Sequence, residues 1–190
     1  MTVSRRVLFG KLNSTLFRAL ESATAFAKLR ENPYVELTHW LHQIWQLNDS
    51  DLHRILRHYH IDPKVVEKYM AAALAALPAG STSLNDFSHH IGIAVERAWI
   101  LSSLEFQADR IRSGWLLTTL VQTPELRSVL LGICAEFKKI PMAALGQSLL
   151  EIITGSPEDG EGAHDGSYLA ATVPEGKMKV GEKRKVSSPS

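Results

Sequence analysis

A chain of 190 residues, 45% of them hydrophobic and 22% charged, can bury one substantial core and has the composition of a soluble globular protein. Its formal charge is +1, with 16 basic and 14 acidic residues up to Thr154 and 5 and 6 beyond it, which excludes the clustered lysines and arginines that sequence-independent nucleic-acid binding needs. No apolar run is long enough to span a bilayer, and the first residues carry too short an apolar segment for a secretory signal, so a cytoplasmic protein with no membrane or nucleic-acid partner is expected.

Residues 1–11 hold Val3, Val7 and Leu8 at loose helical spacing ahead of Gly10, which predicts a short helix bending into a longer one. Arg5, Arg6 and Lys11 read as its solvated face. From Leu12 to Leu29, the residues Leu12, Leu16, Ala19, Leu20, Ala23, Phe26 and Ala27 recur at steps of three and four, the stripe of one buried helix face. Asn13 and Ser14 can cap this helix, and Asn32-Pro33 ends it, because proline disfavours helical geometry in the residue before it. A short apolar helix with Trp40, Leu41, Ile44 and Trp45 follows. A third begins at Asp49-Ser50 with Leu52, Ile55 and Leu56, and a fourth opens at Asp62-Pro63 and runs through an alanine-rich stretch.

The same order then recurs. After a polar linker at residues 78–86, adding 75 to the first stripe gives Phe87, Ile91, Ala94, Val95, Ala98, Leu101 and Ser102, all but Ser102 apolar. Ala19-x-Glu21-x-Ala23 returns as Ala94-x-Glu96-x-Ala98, Trp40-Leu41 as Trp115-Leu116, and Pro63 as Pro141. Shared helix openings, tryptophans and prolines in one order imply a duplicated unit. The expected fold is therefore all-α: two tandem pseudo-symmetric four-helix repeats, at about 12–77 and 87–153, with an extra N-terminal helix. Residues 155–190 are rich in Gly, Ser, Pro and charge, and predict a disordered linker or tail. Lys183-Arg184-Lys185 falls within it as a solvated charge run. Cys134, the one cysteine, lies in an apolar helical stretch where a buried, inert thiol is expected.

Chemistry-bearing residues form no catalytic pattern. Eight histidines raise the alternative of a His-rich metal-binding helical protein, with His39 and His42 three apart and His53, His58 and His60 close by. None of them completes a compact ligand motif, so no metal residue is assigned. Glu21 and Glu96 occupy equivalent positions but fall off the apolar stripe beside Arg18 and Arg97, where a solvated or salt-bridged role is expected. No G-x-x-x-x-G-K-[ST] loop occurs in the 190 residues. This chain is accordingly expected to be non-catalytic, with no catalytic residue and no cofactor of its own.

Two tandem units, each with a long A-x-E-x-A helix and then a short (H/G)-W-L helix, resemble the Clp N-terminal domain over residues 1–154. The segments LFGKLNSTLFRALESA, SLNDFSHHIGIAVERAWILSSLE and IRSGWLL narrow the resemblance to the ClpV, or TssH, type found in the AAA+ ATPases of type VI secretion. The resemblance implies a recognition module that binds an N-terminal helix of the large contractile-sheath subunit, VipB or TssC, for sheath disassembly. It also implies a hexamer, ATP and magnesium only for a full-length ATPase. The extra helix in such domains helps form the binding groove, which places Leu8, Phe9, Leu12, Leu16, Phe87 and Ile91 as candidate partner-binding residues. For Leu16 and Ile91, which share the stripe with Ala19 and Ala94, interior packing is the stronger reading. The alternative within the same fold is a general Clp-type domain that receives substrates or adaptors.

Overall fold

A computed structural model describes residues 3–166. Helix α1 spans Arg5–Gly10 and bends at Lys11 into α2, Ser14–Leu29. Strand β1, Tyr34–Val35, leads into α3, Leu37–Trp45, then α4, Asp51–His58, and α5, Pro63–Ala75. The second repeat has β2, Asp86–Phe87, then α6, His89–Leu104, α7, Ser113–Gln122, and α8, Pro124–Ile133. It continues through a 3-10 turn at Ala135–Lys139 to α9, Ala144–Ile153. No helix among the described residues is long and apolar enough to cross a membrane.

Most helix starts sit where the capping residues put them. Asn13 accepts from the Leu16 amide, Ser50 from the His53 amide and Asp62 from the Lys64 amide, each satisfying a free N–H of a first turn. Ser88, which precedes α6 as Asn13 precedes α2, makes no such bond. Helix α9 begins three residues after Pro141 instead of at it.

The repeats interlock reciprocally. α5 packs on α3 and on α8 of the other repeat, while α9 packs on α7 and on α4. The segment ahead of each repeat's second helix also pairs in parallel with the segment ahead of the other repeat's first helix. Thus Val35 meets Phe87 in the β1–β2 pair, and Ile111 meets Leu12. The Ser88 amide donates to the Val35 carbonyl and the Asn13 amide to the Ile111 carbonyl, both at 2.8 Å. These two-residue pairings escaped the sequence reading because they are too short for any alternation pattern. Inside, Trp40 is fully buried with its indole N–H donating to the Leu16 carbonyl at 3.1 Å, and Trp115 stacks on Phe106. Cys134 is buried, and burial raises its thiol pKa.

The expectation of disorder from Gly155 onward is corrected for residues 155–166, which form a strap laid across the starts of α2, α4 and α7. A 3-10 turn at Pro157–Gly160 carries Glu158 to zero exposure. Its Oε1 accepts from Asn13 Nδ2 at 2.9 Å and the Ser113 amide at 2.8 Å; Oε2 accepts from the Asp51 amide at 2.7 Å and Ser113 Oγ at 2.5 Å. Beside it, Arg112 grips the buried Asp51 carboxylate at 2.6 and 2.8 Å and reaches Asp159 at 2.7 Å. Gly114 is closely packed here: a Cβ would lie 3.1 Å from Asp51 Oδ2 and 3.3 Å from Ile153 Cγ2, so a larger residue would press on the Asp51 carboxylate. Further along, Glu161 takes the Thr15 amide and hydroxyl, His164 stacks on Phe17 at 3.5 Å, and Asp165 holds Lys11 at 2.9 Å. Four specific donors give the polar strap an ordered position that its composition did not suggest. Residues 167–190, including Lys183-Arg184-Lys185, lie outside the described residues.

Two measurements test these buried polar devices. Glu158→Ala leaves two backbone amides and the Asn13 and Ser113 side chains without their acceptor, so urea unfolding should show a loss of roughly 3 kcal/mol or more. His39 lies buried at the start of α3, its Nδ1 accepting from the Glu36 amide at 2.9 Å and its Nε2 facing Asn32 Oδ1 at 2.9 Å. Burial, with Arg30 and His42 nearby, lowers its pKa to about 4. A depressed histidine pKa contributes stability above pH 6.5 that is lost as pH falls toward 4. His39→Gln should therefore be about 1–2 kcal/mol less stable than the parent above pH 6.5, and that gap should close on acidification. Glu158, pushed up to about 7 by burial and by Asp51, acts with the opposite sign between pH 4.5 and 7. The comparison must thus be between the two proteins at each pH.

Candidate functional site

Helix α1 lies against α6, and an apolar groove of about 610 Å³ runs between them. One wall is Val3, Ser4, Arg5, Leu8 and Phe9; the other is Ser88, His89, Gly92, Ile93 and Glu96. The α6 residues 89, 92, 93 and 96 are spaced at helical steps, so they form one face beside the core stripe of Ile91, Ala94, Val95 and Ala98.

The position of α1, and hence the width of the groove, is set at both ends. Leu8 is buried, and Phe9 meets Phe87 edge to face with ring centroids 5.3 Å apart, a geometry in which ring hydrogens meet a π face. Arg5 pairs with Asp86 at 2.7 Å and lowers that carboxyl's pKa by hydrogen bonding. At the other end the strap's Asp165 amide donates to the Gly10 carbonyl at 2.9 Å and the His164 amide to the Leu12 carbonyl at 2.8 Å. The groove has mixed charge at its rim, with Arg5 and His89 at one end and Glu96 further along α6. His90 lies 3.6 Å from Glu125 just outside.

Of the six residues that the sequence put forward, Leu8 and Phe9 line the groove and Phe87 supports it through its contact with Phe9. Leu12, Leu16 and Ile91 are corrected: each has zero exposure and belongs to the core. The stripe they share is the inward face, and Leu12 is further pinned by its pairing with Ile111. Gly92, Ile93 and Glu96 were missed, although their spacing one step around α6 from the core stripe marked a second face. Ser88 stands immediately ahead of α6. Its hydroxyl oxygen is buried beside the groove and has no hydrogen-bond partner among the described residues.

Nothing in the groove is arranged for catalysis, and Glu21 and Glu96 are both exposed. Among the described residues no three His, Cys, Asp or Glu side chains are placed to hold a metal ion. His39, His42 and His53 are occupied in stacking and hydrogen bonds: His42 on Phe26 at 5.2 Å, and His53 on Trp45 at 4.6 Å. The concavity lined by Trp45, His53, Arg57, His60, Asp62 and Glu67 carries more charge on its walls. An apolar cleft with a charged rim suits an amphipathic helix.

No protein-family model matches the chain. It is 50% identical over 169 residues to the chaperone protein ClpB of Yersinia enterocolitica and 51% identical over 169 residues to the AAA+ ATPase ClpV1 of Pseudomonas aeruginosa. Each match covers 89% of this chain, which spans only 19% of the length of these relatives. A solved structure from work on the ATPase ClpV, the TssB–TssC sheath and the accessory protein HsiE in type VI secretion superimposes with a TM-score of 0.81. It is 50% identical, and the match covers 83% of this chain and 98% of that one. A ClpV N-domain solved in complex with a VipB peptide has the same fold at 24% identity, with a TM-score of 0.70 over 80% of this chain and 92% of that one.

Proposed function

This chain belongs to the ClpV family of N-terminal domains, and we propose that it is the recognition module of a type VI secretion unfoldase. In this reading it takes an N-terminal helix of the large sheath subunit, VipB or TssC, into the groove between α1 and α6, directing contracted sheath to disassembly. The observation that carries the reading is the groove itself, a cleft with Leu8 and Phe9 on one wall and Ile93 on the other, built by a helix that precedes the duplicated fold. The solved ClpV N-domain that holds a VipB peptide supports it by sharing that fold.

Recognition of this kind needs no bond-making chemistry. Large apolar side chains of the guest helix leave water for the groove, and the charged rim orients it. ATP and magnesium serve the ring modules of the longer ATPase, in the cytoplasm. Six domains on such a ring would engage a polymeric sheath at once, so modest affinity per domain suffices.

A peptide from the sheath subunit's N-terminal region, titrated by calorimetry, should bind with a dissociation constant below about 100 μM. Phe9→Ala should weaken binding about tenfold while leaving the helical circular-dichroism signal unchanged. Absence of binding at that concentration, together with binding of an unfolded model substrate, would favour a general Clp-type substrate receptor instead.

A further inference from the structure

Position 92 is a glycine at the fourth residue of a sixteen-residue helix, where it costs more backbone entropy than alanine would. The fold does not call for it. A Cβ built at Gly92 meets nothing within 4 Å, unlike Gly114, which Asp51 and Ile153 crowd. Gly92 instead lines the α1–α6 groove together with Leu8, Phe9 and Ile93.

The duplicated repeat supplies an internal comparison. The residue 75 positions before Gly92 is Phe17, and the strap covers it: His164 stacks on the Phe17 ring at 3.5 Å. The chain thus covers one of the two equivalent positions with a segment of itself. On α6 the equivalent position carries glycine in place of phenylalanine, and the neighbouring Ser88 hydroxyl has no hydrogen-bond partner among the described residues.

Resting on the proposed function above, we infer that Gly92 is a specificity-determining position, a gap in the groove lining that seats one large apolar side chain of the bound sheath helix between Leu8, Phe9 and Ile93. A large anchor fits better than a small one because the walls are bulky on both sides and Gly92 offers only backbone. An aliphatic or aromatic residue there removes the most apolar surface from water.

The test uses the full 190-residue chain and a synthetic peptide from the sheath subunit's N-terminal region. Gly92→Ala should raise the melting temperature by about 2–4 °C, as expected for glycine to alanine inside a helix. It should also weaken peptide binding about tenfold, the cost of a methyl group in a filled site. Alanine substitution along the peptide should reveal one large apolar residue whose loss weakens binding to the parent domain tenfold or more but barely affects binding to Gly92→Ala. Unchanged binding by Gly92→Ala, with Phe9→Ala still weakened, overturns the inference and leaves the groove reading intact. Unchanged binding by both variants sinks the groove reading and this inference with it. A lowered melting temperature for Gly92→Ala would show that the fold itself needs the glycine, and would also overturn the inference.

Discussion

The molecule depends on a buried polar junction in which Arg112 holds Asp51 and, beside them, Glu158 gathers four donors from three segments. Two carboxylates and one guanidinium in an interior site are costly unless every lone pair is met, and here each acceptor oxygen has a donor. The junction ties the start of α4 in the first repeat to the start of α7 in the second and to the cap of α2. It also anchors the strap, whose far end holds Gly10 and Lys11 where α1 turns into α2. A short helix that would be marginal alone is thereby fixed as a groove wall.

Duplication explains the architecture, and departure from duplication explains the site. Both repeats use the same reciprocal pairing ahead of their helices and the same exchange of fourth helices. They differ in what lies over the first long helix of each. On α2 the strap covers Phe17; on α6 the equivalent position, Gly92, lines the groove beside α1. The groove thus lies where the symmetry of the fold is broken.

Much of the fold is legible in the sequence because helical duplication leaves strong local signals. Prolines, caps and the Trp-Leu pairs mark nearly every helix start, and the 75-residue offset relates the halves. The site was only half legible. Leu8 and Phe9 belong to the extra helix outside the repeat, whereas Leu12, Leu16 and Ile91, named with them by the family resemblance, lie on the stripe whose periodicity describes the inward face. Gly92 carries no hydrophobic signal at all. The strap was misread because its composition is polar, and the partners that order it, Asn13, Asp51 and Ser113, lie 145, 107 and 45 residues away. Such long-range polar satisfaction has no local pattern to read.

The most direct measurement is a map of backbone amide shifts on titration with the sheath subunit's N-terminal peptide. Partner recognition between α1 and α6 requires the changes to concentrate at residues 3–10 and 88–96, with the buried stripe of α2 little altered. Changes centred instead on the cleft of Phe26, His42 and Met70, with α1 unmoved, would contradict it.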